Sequence, residues 1–207
     1  MITIVDCGAG NIGSIVNMLN YLGIPSCVAE DKLQIAGADK LILPGVGAFD
    51  YGMDCLKKLD LIGPLNEAVQ ERKVPILGIC LGMQLLCDGS DEGKSVGLGW
   101  IKGKAKRFDL SYSPENLRVP HMGWSELKLL RESRLFSNSD RQNRFYFVHS
   151  YHVCCDDPED VVGTVSHGSD VTAVIEKSNV FGAQFHPEKS HRYGMQLFNS
   201  FARLSIE

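Results

Sequence analysis

The sequence feature that most constrains the fold is the pentapeptide Gly78-Ile79-Cys80-Leu81-Gly82. It follows the apolar, strand-like run 74–77 and precedes the helix-like run 83–87. A strand, a glycine-bounded turn and a helix in this order predict a sharp elbow that pushes the central side chain out of a sheet. The start of the helix would point its positive end at the sulfur and favour the thiolate. The pattern therefore indicates a nucleophilic Cys80 rather than a buried structural cysteine.

A candidate general base stands near the C-terminus. The run 180–185 is typical of a buried strand, and His186-Pro187-Glu188 follows at its end. Pro187 removes an N–H and restricts the residue before it, which ends the strand. His186 and Glu188 are two residues apart, so in an extended segment they project to the same side, and the carboxylate can hold the imidazole in one tautomer. With Cys80 they form a candidate triad, although a strand-end histidine beside a solvated glutamate is the plainer alternative.

Composition limits the class of protein. The 207 residues are 44% hydrophobic, which is enough for one large core, and we expect a single domain over residues 1–207. We find neither an apolar stretch of the ~20 residues that a membrane span needs nor a secretory signal, so we expect no membrane association. The net charge of −4, without a basic block, leaves nucleic-acid binding unsupported. The seven scattered cysteines predict reduced thiols, a cytoplasmic protein and no metal site.

The order of predicted elements indicates an α/β fold. In the first half, strands alternate with helices: we predict strands at 2–5, 26–29, 40–43 and 75–79, and helices at 11–22, 48–59 and 65–72. This alternation predicts a central, mainly parallel sheet flanked by helices. In the second half, strands follow one another before a last helix at 191–204; they are predicted at 99–108, 125–129, 145–153, 161–166, 171–175 and 180–185. We therefore expect an added antiparallel layer in the C-terminal half.

A glycine-rich turn near the N-terminus offers a rival interpretation. The stretch Gly8-Ala9-Gly10-Asn11-Ile12-Gly13 matches the G-x-G-x-x-G fingerprint of dinucleotide-binding proteins, and Glu30 follows about twenty residues on, as an acidic ribose ligand would. An NAD-binding protein is the remote alternative. Such a protein would not need the cysteine elbow, and 207 residues leave little room for a second, substrate-binding half. A tight β–α turn explains the same glycines.

Three motifs together resemble those of the class I (triad) glutamine amidotransferases. They are Pro44-Gly45-Val46-Gly47, the elbow extended to Gln84, and Gln184-Phe185-His186-Pro187-Glu188. More narrowly, the segments 120–124, 146–151 and 186–190 resemble the glutaminase subunits of imidazole glycerol phosphate synthases. The motifs follow in the expected order over essentially the whole chain. The resemblance implies the fold of that family.

The resemblance also implies a role for each motif. Cys80 attacks the carboxamide carbon of glutamine, and His186, oriented by Glu188, protonates the departing ammonia and then activates water to hydrolyse the thioester. The implied oxyanion donors are the backbone N–H groups of Leu81 and of the loop Gly45, Val46 and Gly47. The implied glutamine-holding positions are Gln84, Glu92 and the backbone at His149, Ser150 and Tyr151. No cofactor and no metal ion are implied.

A partner subunit is implied in the same way. Ammonia released into water would be protonated and lost, so the family passes it to a separate (β/α)8-barrel cyclase subunit. That subunit joins it to a ribonucleotide-derived intermediate, which yields imidazole glycerol phosphate and an aminoimidazole carboxamide ribotide on the histidine and purine routes. The residues on partner-facing motifs are Asn11, Trp124 and Lys189. A peptide flip in the loop 45–47 would complete the oxyanion hole once the partner is engaged, so we expect low glutaminase activity from the isolated chain.

Several positions depart from the histidine-pathway pattern. Ser125 stands where asparagine is usual, and the turn 99–103 lacks a common proline. The segments 10–14 and 190–195 are similar to paralogues associated with bacterial surface-polysaccharide gene clusters, which implies an alternative in which the ammonia amidates a polysaccharide sugar. The residues also leave open a regulatory protein that reuses the fold without catalysis, and a cysteine peptidase.

Overall fold

The computed structural model describes residues 1–8, 10–29, 31–111, 117–136 and 143–205. The strands are β1 (Ile2–Val5), β2 (Ser26–Ala29), β3 (Leu41–Gly45), β4 (Ile76–Cys80), β5 (Gly89–Ser90), β6 (Gly103–Arg107), β7 (His121–Leu129), β8 (Asn143–His149), β9 (Tyr151–Cys155), β10 (Val161–Ser166), β11 (Asp170–Lys177) and β12 (Val180–Ala183). The α-helices are α1 (Ile12–Tyr21), α2 (Lys32–Ala36), α3 (Phe49–Lys58), α4 (Ile62–Asn66), α5 (Leu81–Leu85) and α6 (His191–Arg203). A π-helical turn, Glu67–Glu71, continues α4, and 3-10 turns cover Pro158–Asp160 and Pro187–Lys189. Within these ranges, every helix is too short or too polar to span a bilayer.

Nine of the described strands form one mixed sheet in the order β2-β1-β3-β4-β12-β11-β10-β7-β8. The strands from β2 to β12 in this order run parallel to one another, and each later neighbour pairs antiparallel. The strand β4 lies between β3 and β12, near the middle of the sheet. The carboxyl ends of three parallel strands therefore meet beside Cys80.

Alternating residues of the parallel strands supply a hydrophobic core on each face of the sheet. In β3, Leu41 and Leu43 belong to the core that α3, α4 and α5 cover, whereas Ile42 belongs to the core that α1 and α6 cover. In β4, Ile76 belongs to the first of these cores and Leu77 to the second. Side chains of successive strand residues point to opposite faces, so strands buried on both sides need continuous apolar runs. The predicted α/β fold with helices on both faces is confirmed.

The antiparallel part differs in detail from the predicted layer. Four of its strands, β11, β10, β7 and β8, continue the central sheet edge to edge because β12 pairs parallel with β4 on one side and antiparallel with β11 on the other. A separate three-stranded sheet, β5-β6-β9, lies against β11 and α5. Sequence patterning gives each strand's buried face but not its neighbours, so it does not distinguish these arrangements.

The predicted strand 145–153 is wrong as a single element. The chain leaves the large sheet after β8, turns at Ser150 and enters the small sheet as β9. The run carries no glycine or proline to mark that break. Other bounds shift: the strand predicted at 99–108 shortens to β6, the strand predicted at 125–129 begins four residues earlier, and α2 was not predicted.

Three glycines allow the elbow to approach its neighbouring strands. A Cβ on Gly78 would lie 2.7 Å from the carbonyl oxygen of Gly82, and one on Gly45 would lie 2.8 Å from the Gly82 nitrogen. A Cβ on Gly82 would overlap the carbonyl oxygen of Leu43. The glycines therefore permit α5 to pack backbone to backbone against β3 and β4.

We expect Gly82→Ala to lower the free energy of unfolding by roughly 2 kcal/mol or more, because a methyl group fits only if β3 or α5 moves. Gly13→Ala is the matched control: Gly13 is also helical, but a Cβ there meets nothing within 4 Å. That variant should be neutral or up to ~1 kcal/mol more stable. Urea unfolding of both variants measures the difference. Equal stability of Gly82→Ala and the wild type would contradict this account of the elbow.

Candidate active site

Cys80 ends β4 and occupies the predicted elbow. Its backbone has φ +54° and ψ −110°, a region that residues other than glycine rarely occupy, and α5 begins at the next residue. The Gln184 Nε2 donates to the Cys80 Sγ at 3.8 Å, and the Val148 carbonyl oxygen lies 4.0 Å from the same sulfur. A strained conformation that the surrounding packing enforces is typical of a functional position.

His186 reaches the same edge of the sheet because β12 runs parallel to β4. The His186 Nδ1 and the Glu188 Oε1 are 2.8 Å apart, and both side chains are almost completely buried. The predicted contact is present, but its geometry differs from the extended segment we expected. His186 is extended, whereas Pro187–Lys189 forms a 3-10 turn that brings the carboxylate back to the ring. A proline at the first position of such a turn is pre-organised for it.

The charge on His186 follows from its two neighbours. Burial disfavours the imidazolium, but interactions with Cys80 and Glu188 outweigh burial and raise the pKa of His186 to about 9. The Nε2 atom is buried and has no hydrogen-bond partner among the described residues. At neutral pH the ring therefore carries a proton on Nε2 that it can donate to a leaving group beside Cys80.

A cavity of about 510 Å³ opens onto these two residues. Its wall contains all the predicted glutamine-holding residues and most of the predicted oxyanion loop; the lining residues are Val46, Gly47, Ala48, Cys80, Leu81, Gln84, Glu92, Pro120, Val148, His149, Ser150, Tyr151 and His186. Gly45 lies outside the lining, packed against Leu81 and Gly82, and Glu188 lies behind His186. The cavity therefore gathers residues from across the sequence around one thiol.

The loop after β3 is fixed at both ends and open in the middle. Gly45 pairs in register with Cys80, and beyond the loop the backbone N–H of Phe49 donates to the Glu92 Oε2 at 2.9 Å. Between these anchors Val46 is 44% exposed, and Gly47 has φ +99° with open space around its Cα. The structure therefore leaves space around Val46 and Gly47, whereas Gly45 is packed against the elbow; the peptide flip itself stays a prediction. Glu92 holds the loop in addition to lining the cavity.

A glutamine pair supports the floor of the cavity. The Gln84 Nε2 donates to the Tyr151 carbonyl oxygen at 3.1 Å and to the Gln184 Oε1 at 3.2 Å. The contact of Gln184 with the Cys80 sulfur was not predicted. Gln184 is polar within an otherwise apolar, fully buried strand end, and that unusual placement was the signal that could have identified it.

The predicted partner-facing residues divide into two locations. Trp124, on β7, is 40% exposed; its ring stacks on His191 and meets Tyr146 edge to face. The Lys189 Nζ lies 6.0 Å from the centre of the Tyr146 ring. Asn11 precedes α1 and accepts a hydrogen bond from the Ser14 hydroxyl. The helix α1 packs against the turn that contains Lys189.

The glycines of the dinucleotide fingerprint have a different explanation. In that fingerprint the third glycine permits close packing of helix on strand, whereas a Cβ on Gly13 would meet nothing within 4 Å. Gly10 is the crowded position, because a Cβ added there would lie 3.0 Å from the Pro44 side chain. The predicted ribose ligand Glu30 and the residue Ala9 lie outside the described residues. Within the described part of the chain, no cluster of histidine, cysteine or acidic residues could hold a metal ion.

Solved structures share this fold. One described as a glutamine amidotransferase superposes with a TM-score of 0.72 at 18% identity and covers 96% of this chain and 100% of its own. The PurLQS structure from Thermotoga maritima superposes with a TM-score of 0.71 at 22% identity and covers 97% of this chain and 96% of its own. At such identities the likeness concerns the fold alone.

Sequence relatives are much closer. This chain is 46% identical to "Imidazole glycerol phosphate synthase subunit HisH 2" of Methanococcus maripaludis, over 98% of this chain and 99% of the relative. It is 45% identical to the protein of the same name from Pseudomonas aeruginosa, over 99% and 100%. The family model for "Glutamine amidotransferase class-I" matches residues 3–204. The chain therefore belongs to the class-I glutamine amidotransferase family.

Proposed function

We propose that this chain is the glutaminase subunit of an imidazole glycerol phosphate synthase. It hydrolyses glutamine to glutamate and ammonia and passes the ammonia to a (β/α)8-barrel cyclase subunit. The observation that carries the proposal is that Cys80 and His186, with Glu188 behind the ring, line the same cavity. The relatives named HisH over the whole chain length support the pathway. The family match over 3–204 supports one domain, and the seven free cysteines support a reducing, cytoplasmic location.

The proposed reaction proceeds through a thioester. With the His186 imidazole protonated, the Cys80 sulfur attacks the carboxamide carbon of glutamine, and the carbonyl oxygen becomes an oxyanion. The N–H of Leu81 and an N–H from the Val46–Gly47 segment stabilise that charge. Nε2 of His186 protonates the amide nitrogen, the C–N bond breaks and ammonia leaves. Water, deprotonated by His186, then attacks the thioester, and glutamate departs as the Cys80 sulfur is released.

Glu188 acts through His186 in this scheme. Its carboxylate accepts a hydrogen bond from Nδ1, so the imidazole presents Nε2 to the cavity in both protonation states. The backbone of His186 is held as well, because its N–H donates to the Tyr146 carbonyl oxygen at 2.9 Å and the Ser190 hydroxyl donates to its carbonyl oxygen at 2.6 Å. The histidine is thus positioned before substrate arrives.

The proposed partner surface is the exposed face of β7 with the residues beside it. Met122 is 62% exposed, and Trp124 and Lys189 both contact the Tyr146 ring. The backbone oxygen of Tyr146 is the acceptor for the His186 N–H. Only Tyr146 separates the exposed Trp124 from His186. An apolar surface so close to the triad histidine suits the docking of a partner that must receive ammonia without exposing it to water.

Glutaminase activity should rise when the barrel partner and its ribonucleotide ligand are added. If the competent loop conformation is a minor state of the isolated chain, a partner that binds that state alone can raise turnover roughly tenfold to a thousandfold. The assay is glutamate release with and without a histidine-pathway cyclase subunit, and Cys80→Ala in the complex measures the background. Robust activity that is indifferent to this partner would overturn the pathway assignment and favour ammonia delivery to a polysaccharide-sugar amidotransferase.

A further inference from the structure

Four polar groups form a hydrogen-bonded row that ends at the wall of the glutamine cavity. The Ser125 Oγ lies 2.9 Å from the His121 Nε2, and the His121 Nδ1 lies 3.1 Å from the His149 Nε2. The His149 Nδ1 in turn lies 2.8 Å from the Tyr151 carbonyl oxygen. His121 and His149 face each other across the pairing of β7 with β8. The row therefore runs from the strand that carries Trp124 to the cavity wall.

The far end of the row fixes the proton positions along it. The Tyr151 carbonyl oxygen can only accept, so the His149 Nδ1 carries the hydrogen. Neutral His149 then accepts at Nε2, which requires the hydrogen of His121 on Nδ1. Neutral His121 accepts at Nε2 in the same way, and the Ser125 hydroxyl is the donor. Each group has one consistent role.

Burial keeps both rings neutral. It lowers the pKa of His121 to about 4, with the neighbouring His167 adding to the effect. Burial also lowers the pKa of His149 to about 3, against the stabilising hydrogen bond to Tyr151. The His121 ring is held between Phe147, at 4.9 Å between centroids, and His167, at 4.4 Å. At neutral pH both rings are therefore uncharged, the His121 ring is packed on both faces, and each hydrogen bond in the row has one defined donor.

The Tyr151 carbonyl oxygen is where the row meets the site. It accepts from His149 and also from Gln84, whose side chain leads through Gln184 to the Cys80 sulfur. The wall around it passes from one sheet to the other: Val148 and His149 end β8, Ser150 lies between the two strands, and Tyr151 begins β9. His149 and Gln84 both donate to the Tyr151 carbonyl oxygen, so side-chain hydrogen bonds fix the backbone at the point where the chain leaves one sheet for the other.

We propose that His121 and Ser125 are positioning residues that hold the backbone at His149–Tyr151 in the conformation that binds glutamine. This inference deepens the proposed glutaminase function and rests on it. Ser125 stands where the resemblance leads one to expect asparagine, so this chain completes the row with a hydroxyl. Neither residue lines the cavity, and each acts through His149.

The hydrogen positions are tested by NMR of histidine-labelled protein at neutral pH. Long-range ¹H–¹⁵N spectra, assigned with single-histidine variants, should show the hydrogen of both His121 and His149 on Nδ1. A hydrogen on Nε2 of His149 would overturn the proposal, because the Nδ1 lone pair would then face the Tyr151 carbonyl. This measurement needs no enzymatic activity, so it fails or succeeds independently of the proposed function.

The positioning role is tested with a glutamine analogue that alkylates the nucleophile. We expect Ser125→Ala to raise the inactivation constant KI roughly two- to tenfold and His121→Phe, which keeps the ring stack, roughly five- to hundredfold. The limiting inactivation rate of both variants should stay within a factor of about two. Ser125→Thr keeps the hydroxyl and should restore the wild-type KI, and Glu71→Ala, an exposed position in the π-helical turn after α4, should not change it.

An unchanged KI for Ser125→Ala, or a loss in Ser125→Thr equal to that in Ser125→Ala, would overturn the positioning role. Unsaturable or absent labelling in the wild type would instead contradict the proposed glutaminase function while leaving the NMR result valid. Thermal unfolding of every variant separates a local effect on glutamine binding from loss of the fold. A variant that retains the wild-type midpoint and has a raised KI supports the proposal.

Discussion

Replacing Cys80 by alanine is expected to reduce glutamine hydrolysis by on the order of 10⁴-fold or more. The substitution removes the atom that forms the thioester, and no other described side chain in the cavity wall carries a thiol. The fold should persist, because alanine keeps the Cβ that Cys80 already places in a positive-φ backbone. Steady-state glutamate release, measured in the presence of the proposed barrel partner, gives the loss of activity.

The control for this variant is a second cysteine that lies away from the cavity. Cys27 is partly buried in β2, at the far edge of the large sheet, so Cys27→Ala should keep activity within a factor of about two. Residual activity above about 1% in Cys80→Ala would show that water is activated directly, without a covalent intermediate. Quenching the wild-type reaction early in turnover and measuring the protein mass provides a second check, since the thioester adds a γ-glutamyl group to Cys80.

Local patterns predicted the elbow because its chemistry is local. Gly78 permits contact with Gly82 and Met83, only a few residues beyond Cys80, and β4 and α5 follow directly from the apolar runs on either side. His186 and Glu188 were predictable for the same reason, although the 3-10 turn that joins them was not. Bringing the thiol and the imidazole together needed only the rule that parallel strands end at one edge.

The rest of the site depends on pairings that a single sequence does not contain. The wall from Val148 to Tyr151 exists because the chain changes sheets at Ser150, and the predicted strand 145–153 ran through that break. Gln184 beneath the sulfur and His121 beside His149 come together only after β12 pairs with β4 and β7 with β8. Their polarity was visible in the sequence, but their partners lie 28 or more residues away.

The pairing of a buried carboxylate with His186 leads to a test through pH. Replacing Glu188 by glutamine removes a negative charge that stabilises the imidazolium, so the pKa of His186 should fall below its wild-type value of about 9. In the proposed reaction the proton donor for ammonia is the charged ring, which is present below that pKa and lost as the pH rises through it. The alkaline limb of the pH–rate profile should therefore move to lower pH in Glu188→Gln.

Turnover at neutral pH should fall as well, by roughly 10²- to 10⁴-fold, because an amide in place of the carboxylate no longer fixes the hydrogen on Nδ1. Without that hydrogen on Nδ1, the neutral ring carries its hydrogen on Nε2 and cannot accept a proton from water there. Glu71→Gln, an exposed substitution of the same chemistry in the π-helical turn after α4, should leave both the rate and the profile unchanged. The measurement is kcat against pH for the wild type and the two variants in the presence of the proposed barrel partner. An unshifted alkaline limb in Glu188→Gln would mean that Cys80 alone raises the pKa of His186. Glu188 would then orient the ring without changing its pKa.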